Sequence, residues 1–215
     1  MIKAVIFDLD GVIVSTDEYH YKAWKFMSEK ENIEFDRSIN HRLRGVSRME
    51  SLHIILEKAK KVYTTEEKVK LAQIKNDYYV ESLKNINESD ILPGVLEVLS
   101  ALKSNGIKIA IGSSSRNAKL ILNRIKLTDQ FEAIADGTDI KNSKPAPDVF
   151  LVAAVKLGID PSECLVVEDA EAGIKAAKRA GMFGFAVGDA KKSQEADYKA
   201  EDIKELINVV LNNVK

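Results

Sequence analysis

Ala4-Val5-Ile6-Phe7-Asp8-Leu9-Asp10-Gly11 is the stretch on which the fold turns. A short apolar run without polar alternation fits a strand buried on both faces of a parallel sheet. This one stops at once on an acidic pair and a glycine. Comparable runs recur at 107–111, 133–135, 164–167 and 183–187, each ending in a small or acidic residue. Helical patterns fill the intervals. Val95, Val98, Leu99 and Leu102 follow the i, i+3, i+4, i+7 spacing after Pro93, and Gly106 marks a stop. Ala118, Ile121, Leu122 and Ile125 repeat that spacing, as do Ile203, Leu206, Ile207 and Val210. Alternating strands and helices define a doubly wound, Rossmann-like α/β domain built on a parallel sheet.

One segment breaks the alternation. Residues 15–91 show only helical periodicity. Tyr19, Ala23, Phe26 and Met27 mark one helix, and Leu52, Ile55, Leu56 and Ala59 another. Thr64-Thr65-Glu66-Glu67 reads as a capping box opening a third, which carries Leu71, Ile74 and Tyr78. Two consecutive domains are the alternative, but a strand at 4–7 needs a sheet, and its partners lie beyond residue 106. The expected organisation is an α/β core of residues 1–14 and 92–215 with an all-helical cap domain, 15–91, inserted.

Composition narrows the function classes. The chain has 215 residues, enough for one large domain or two small ones, with 45% hydrophobic and 30% charged residues, an ordinary globular balance. Lys+Arg total 32 and Asp+Glu 33, so the net charge of -1 argues against a nucleic-acid partner. The one cysteine, Cys164, has no intrachain partner and sits in an apolar run, which fits a buried structural thiol. Neither a signal-peptide pattern nor the ~18 apolar residues of a membrane span is evident. A cytoplasmic, monomeric protein is expected.

The acidic pairs carry the chemistry. In a parallel α/β sheet, ligands sit outside the carboxyl ends of the strands. Residues two apart on an extended chain point the same way, so Asp8 and Asp10 are expected to address one volume. Glu168-Asp169 ends the run 164–167 in the same manner. Four carboxylates at one sheet edge repel unless a cation intervenes, and hard oxygen ligands suit Mg²⁺; helix capping by Asp is the alternative for either pair alone. Ser113-Ser114-Ser115 ends the run 107–111 ahead of a helix, an arrangement equally suited to an anion site and to plain N-capping. Lys144-Pro145-Ala146-Pro147 tethers one lysine in a stiff turn. It reads either as a phosphate or carboxylate partner or as solvated surface.

Together, Asp8-Leu9-Asp10-Gly11-Val12, Ser113, Lys144 with its prolines, and Glu168-Asp169 resemble the four motifs of the haloacid dehalogenase-like phosphotransferases. The inserted helical segment is similar to that superfamily's small cap. Within it, the family of bacterial β-phosphoglucomutases is resembled by Thr16-x-Glu18-Tyr19-His20-x-x-Ala23-Trp24-Lys25, Gly45-Val46-Ser47-Arg48-x-x-Ser51-Leu52, Lys75-Asn76-Asp77 and Ser143-Lys144-Pro145-Ala146-Pro147-Asp148. The resemblance covers nearly the whole chain and fades after about Val187. Val14-Ser15 stands where that family usually has Thr-Asp, and Ser114 replaces a small apolar residue.

The resemblance implies a set of roles. Asp8 would be the nucleophile and Asp10 the general acid and base, with Ser113 and Lys144 clamping the phosphoryl group. Mg²⁺ would be held by Asp8, the Asp10 backbone carbonyl and Asp169, with Glu168 beside them. Arg48 would grip a distal phosphate. Lys75, Asn76, Ser115, Arg116 and Asn117 would add phosphate or sugar contacts. Trp24, Gly45 and Val46 would line the pocket, and Thr16, His20, Ser47 and Ser51 complete the binding set. A link between His20 and Lys75 would couple the hinge to Asp10. The implied reaction interconverts β-D-glucose 1-phosphate and D-glucose 6-phosphate, with β-glucose 1,6-bisphosphate as activating intermediate and no membrane or nucleic-acid partner. A Mg²⁺-dependent phosphatase of small sugar phosphates or phosphoglycolate shares the same core residues. A non-catalytic binding module would require loss of Asp8 or Asp10, and both are present.

Overall fold

β1 (Ala4–Phe7) is buried along its whole length because it lies inside a sheet rather than at its edge. The computed structural model describes residues 1–213. Its six-stranded sheet has the order β3-β2-β1-β4-β5-β6, all pairs parallel, with β2 at Lys108–Gly112, β3 at Ala133–Ala135, β4 at Cys164–Glu168, β5 at Phe183–Ala186 and β6 at Tyr198–Lys199. Phe7 pairs with Ile111 on one side and Val167 on the other. Asp8 is therefore level with Gly112 and Glu168, and the chain order reverses at β1, where open α/β sheets bind ligands.

The pleat sends alternate residues to opposite faces. Val5 and Phe7 join one apolar cluster with Ile109, Ile111, Leu165 and Val167, covered by α5 (Val95–Ser104), α6 (Ala118–Arg124) and α9 (Glu205–Asn212). Ala4 and Ile6 join the other, covered by α7 (Asp148–Leu157) and α8 (Glu171–Arg179). Both faces are thus closed to water, which is why the strands read as unbroken apolar runs. The run 107–111 moves one residue on, and 164–167 extends to Glu168, because Gly112 and Glu168 still pair with Ala135 and Ala186. Val187 falls outside β5, and Ile203 precedes α9. β6, two residues long, is too short to leave a pattern.

Between β1 and β2 the chain forms α1 (Asp17–Lys30), α2 (Arg37–His41), α3 (Arg48–Leu56) and α4 (Thr65–Ser82). These helices bury a cluster of their own, including Trp24, Met27, Leu52, Ile55 and Leu71. The capping box at α4 is complete: Thr64 Oγ1 accepts from Glu67 N–H at 3.2 Å, and Glu67 accepts from Thr64 N–H at 2.8 Å. Ala59 lies beyond the end of α3. The chain leaves and re-enters the sheet region at one place, where Val14 and Ile91 form an antiparallel bridge and Leu92 N–H donates to Ile13 O at 2.9 Å. Cys164 is buried and unpaired. No helix among the described residues is long and apolar enough to cross a membrane.

Candidate active site

A cleft of about 1160 Å³ lies between the carboxyl edge of the sheet and the helices α1, α3 and α4. Its floor is acidic around one lysine. Lys144 Nζ donates to Asp8 Oδ1 at 2.5 Å and to Glu168 Oε1, and all three side chains are almost wholly buried. Burial alone would lower the lysine's pKa, but the charges of Asp8 and Glu168 outweigh it and push the ammonium well above its ordinary range. The loop after β3 thus delivers Lys144 to the ends of β1 and β4, which excludes the solvated-surface reading of that residue.

Asp169 has no such partner. It makes no side-chain hydrogen bond or ion pair among the described residues, and burial, then the charges of Glu168 and Asp8, push its carboxyl up to about 8. Glu168 is raised to about 7, burial outweighing the nearby lysine. One carboxylate oxygen from each of Asp8, Glu168 and Asp169 lies within 4.8 Å of the others. An orphan carboxylate crowded by two more is the charge pattern a hard divalent cation relieves, so this donor set fits Mg²⁺. Two glycines make the crowding possible. A Cβ at Gly11 would stand 2.2 Å from Asp169 Oδ2, and one at Gly173 would stand 1.9 Å from the Glu168 carboxyl. Gly173 escaped the sequence reading, although a glycine inside a helix, costing ~1 kcal/mol against alanine, is the kind of signal that points to close approach.

Asp10 lines the same cleft as Asp8 and feels its charge, but its carboxylate stands outside the acidic trio. Thr16 N–H donates to its Oδ1 at 2.6 Å and Thr16 Oγ1 donates to its Oδ2 at 2.7 Å. The turn at Gly11 curls the chain back, with Gly11 N–H donating to Val14 O at 2.8 Å, ahead of the Thr16 that meets Asp10. Desolvation in the cleft raises Asp10 to about 6, against the pull of the two Thr16 hydrogen bonds.

The serine run is a turn rather than a helix start. α6 begins only at Ala118, behind Asn117. Ser113, buried, accepts from Ser115 N–H at 3.2 Å, and Ser115 in turn accepts from Asn117 N–H at 3.2 Å. Those bonds aim Asn117 across the cleft, where its Nδ2 donates to Asn76 Oδ1 of α4 at 3.1 Å. Ser114 Oγ is buried without a partner.

Three cations about the cleft, Arg48 and Lys75 of the roof and Arg116 of the loop before α6, make no ion pair among the described residues. Arg48 opens α3, behind Ser47, whose hydroxyl accepts from Glu50 N–H at 3.2 Å, so Ser47 serves as a helix cap. Arg48 and Arg116 face each other without an ion pair among the described residues, and burial, then the Arg116 charge, lowers the pKa of Arg48. Lys75 is buried and donates to His20 Nδ1 at 2.9 Å, its ammonium lying 4.9 Å from the Trp24 ring and 4.3 Å from that of Tyr79. Burial and the Arg48 charge hold Lys75 well below the ordinary lysine range, and burial, then Lys75 and Arg48, hold His20 well below 6.5. A neutral His20 accepting on Nδ1 presents its Nε2 to Asp10 Oδ2, 3.9 Å away. Trp24 borders the cleft but is 2% exposed, so packing in the helical cluster is its main occupation. Ser51 is buried in α3, and the loop holding Gly45 and Val46 lies against the start of α8, a Cβ at Gly45 falling 3.1 Å from Ala170 Cβ.

Arg44, not singled out in the sequence, ties roof to floor. Its Nη2 donates to Asp17 at 3.0 Å and its Nη1 to Asp189 at 2.8 Å, a residue 145 positions away. Nothing local marks such a pair. The adjoining Gly45-Val46-Ser47-Arg48 was the nearest available signal.

A parallel sheet with an acidic edge around one buried lysine, and a helical roof inserted after the first strand, define a phosphotransferase of the haloacid dehalogenase type. The haloacid dehalogenase-like hydrolase family model matches residues 2–181, and the chain belongs to that family. Among named relatives, it is 47% identical to the β-phosphoglucomutase of Bacillus subtilis (strain 168) over 207 residues, 95% of this chain and 92% of that one. It is 31% identical to the phosphorylated carbohydrates phosphatase of Thermotoga maritima, covering 98% of this chain and 100% of that one. The crystal structure of β-phosphoglucomutase from Clostridium difficile superposes with a TM-score of 0.92 at 43% identity, covering 99% of this chain and 96% of that one.

Proposed function

We propose that this chain is an isomerase-class phosphotransferase that interconverts β-D-glucose 1-phosphate and D-glucose 6-phosphate through an aspartyl-phosphate on Asp8 and β-glucose 1,6-bisphosphate. One observation carries the reading: an acidic, lysine-clamped floor shares one cleft with a separate set of cations, Arg48, Lys75 and Arg116, that make no ion pair among the described residues. Such a cleft has a place for a reacting phosphoryl group and another for a phosphate that does not react. A bisphosphate needs both.

Asp8 attacks phosphorus, a new P–O bond forms to its carboxylate, and the P–O bond to the sugar breaks. Asp10 gives its proton to the leaving sugar oxygen and in the return step takes one from the attacking hydroxyl. An Asp10 raised to about 6 holds a proton readily enough to do both near neutrality. Lys144 orients Asp8 and meets the charge on the transferring group, assisted by Ser113. Asp8, Asp169 and the Asp10 main-chain carbonyl, with Glu168 beside them, would hold Mg²⁺, which when bound neutralises phosphoryl oxygens. Arg48 and Arg116 grip the distal phosphate, while Lys75, Asn76, Ser115 and Asn117 address the sugar and that phosphate. Thr16 and His20 set Asp10, and Gly45, Val46, Ser47, Ser51 and Trp24 shape the roof. Closure of a cap formed by residues 15–91 on the core of 1–14 and 92–215 expels water, so the phosphoryl group passes to sugar. A phosphorylated sugar does not cross a lipid barrier unaided, which supports a cytoplasmic site of action.

The test is to incubate the protein with β-D-glucose 1-phosphate, Mg²⁺ and trace bisphosphate, following glucose 6-phosphate and free phosphate separately. Glucose 6-phosphate with little free phosphate is expected. The reverse result would reject the mutase in favour of a sugar-phosphate phosphatase, which needs the same floor.

A further inference from the structure

We propose that Tyr79 is a positioning residue for Asp10, acting through the hydroxyl of Thr16; the inference rests on the acid–base role of Asp10 given above. Tyr79 lies on α4 and is 0% exposed. A buried phenol must find a partner for its O–H, and the one it has among the described residues is Thr16 Oγ1, at 3.2 Å. Burial, then the charge of Asp10, pushes the Tyr79 phenol further up, so it keeps its proton and is the donor.

That direction matters because a hydroxyl has a single hydrogen. With Tyr79 donating to the Thr16 oxygen, the Thr16 proton is left for Asp10 Oδ2, 2.7 Å away. Without Tyr79, the same hydroxyl could rotate toward other acceptors, and Asp10 would keep only the Thr16 N–H. The ring of Tyr79 also touches the other groups that govern Asp10. It packs on the His20 imidazole at 4.2 Å between centroids and lies under the Lys75 ammonium at 4.3 Å. One side chain on a roof helix therefore contacts Thr16, His20 and Lys75 together. A shift of α4 is transmitted to Asp10 through Tyr79 as well as through the Lys75–His20 pair. Phenylalanine would satisfy the packing alone, so the hydroxyl is the part that packing does not explain.

The experiment compares Tyr79→Phe, Thr16→Val, Thr16→Ser and the Tyr79→Phe/Thr16→Val double variant in the full chain with Mg²⁺. Tyr79→Phe is expected to lower kcat about tenfold while KM for β-D-glucose 1-phosphate stays within about twofold, because the reacting geometry is affected and the phosphate grip is not. The double variant should lose little more than Thr16→Val alone, since both remove the same link. Thr16→Ser, which keeps the hydroxyl, should recover most of the kcat that Thr16→Val loses. A kcat within twofold of wild type for Tyr79→Phe overturns the proposal. So do losses that multiply in the double variant, a Thr16→Ser as impaired as Thr16→Val, or a fall in kcat matched by a rise in KM and a lowered Tm. If the wild-type protein yields free phosphate and no glucose 6-phosphate, the isomerase reading fails, while the ratio of phosphate-release rates between Tyr79→Phe and wild type still judges Tyr79.

Discussion

The floor and the roof of the cleft hold charges of opposite sign in opposite states. On the floor, Lys144 is locked between Asp8 and Glu168, each charge having been removed from water against a partner. Across the cleft, Arg48 and Lys75 of the roof and Arg116 of the loop before α6 make no ion pair among the described residues, and the pKa values of Arg48 and Lys75 are both pushed down. A compensated buried cluster is architecture: breaking it leaves an uncompensated charge. An uncompensated cluster is stored affinity, unfavourable until an anion arrives. The same kinds of residue thus serve preorganisation below and recognition above.

Mutation should separate the two. Lys144→Met is expected to have the largest effect, abolishing turnover and lowering stability by about 3–5 kcal/mol, because two buried carboxylates lose their cation. Denaturant unfolding measures the second part, and an unchanged midpoint would contradict the architectural role of the floor. Arg48→Ala should raise KM for the sugar phosphate about 10²-fold by removing a charge-assisted phosphate contact, yet leave Tm unchanged or slightly higher, since one of two facing cations is gone. A fall in Tm comparable to that of Lys144→Met would erase the contrast.

The third prediction concerns pH. Asp169, ordinarily at 3.8, is raised to about 8 in the metal-free protein. Between those values the folded chain holds a proton that the unfolded chain has lost, so this group's stabilising contribution is present at low pH and falls away as pH rises toward 8. Mg²⁺ binds the ionised form, so the Tm gain at saturating Mg²⁺ should be larger at pH 8 than at pH 5. An equal gain at both would dissociate Asp169 from the metal. The smallest effect is expected at the exposed clasp. Arg44→Ala should cost about 1 kcal/mol or less of cap–core association, read as a kcat/KM reduced about two- to fivefold at low salt. The difference should vanish at 1 M NaCl, where the screening length is ~3 Å.

Much of the floor was legible in the sequence because its signals are local. An apolar run predicts a buried strand, and the residues at its end are carried to the carboxyl edge of the sheet with no further information. The Thr64 capping box likewise closes within four residues. Other features escaped for equally physical reasons. The side-chain direction of Asp10 depends on how the chain curls after Gly11, and β6 is too short to show any period. Gly173 matters only because Glu168 arrives from another element. Arg44 meets Asp189 across 145 positions, and Tyr79 meets Thr16 across 63.

The two scales therefore divide the protein cleanly. Periodicity and strand-end position were enough for the parallel sheet, the inserted helices and the acidic pairs, because hydrophobic burial imposes a repeat on neighbouring residues, while the likeness to a phosphotransferase family rested on the motif residues themselves. Which charges are paired and which are left waiting depended on packing between elements far apart in the chain. There, low dielectric and competition for hydrogen bonds decide that Lys144 is clamped, that Asp169 stands without a partner, and that Asp10 rests on Thr16 under Tyr79.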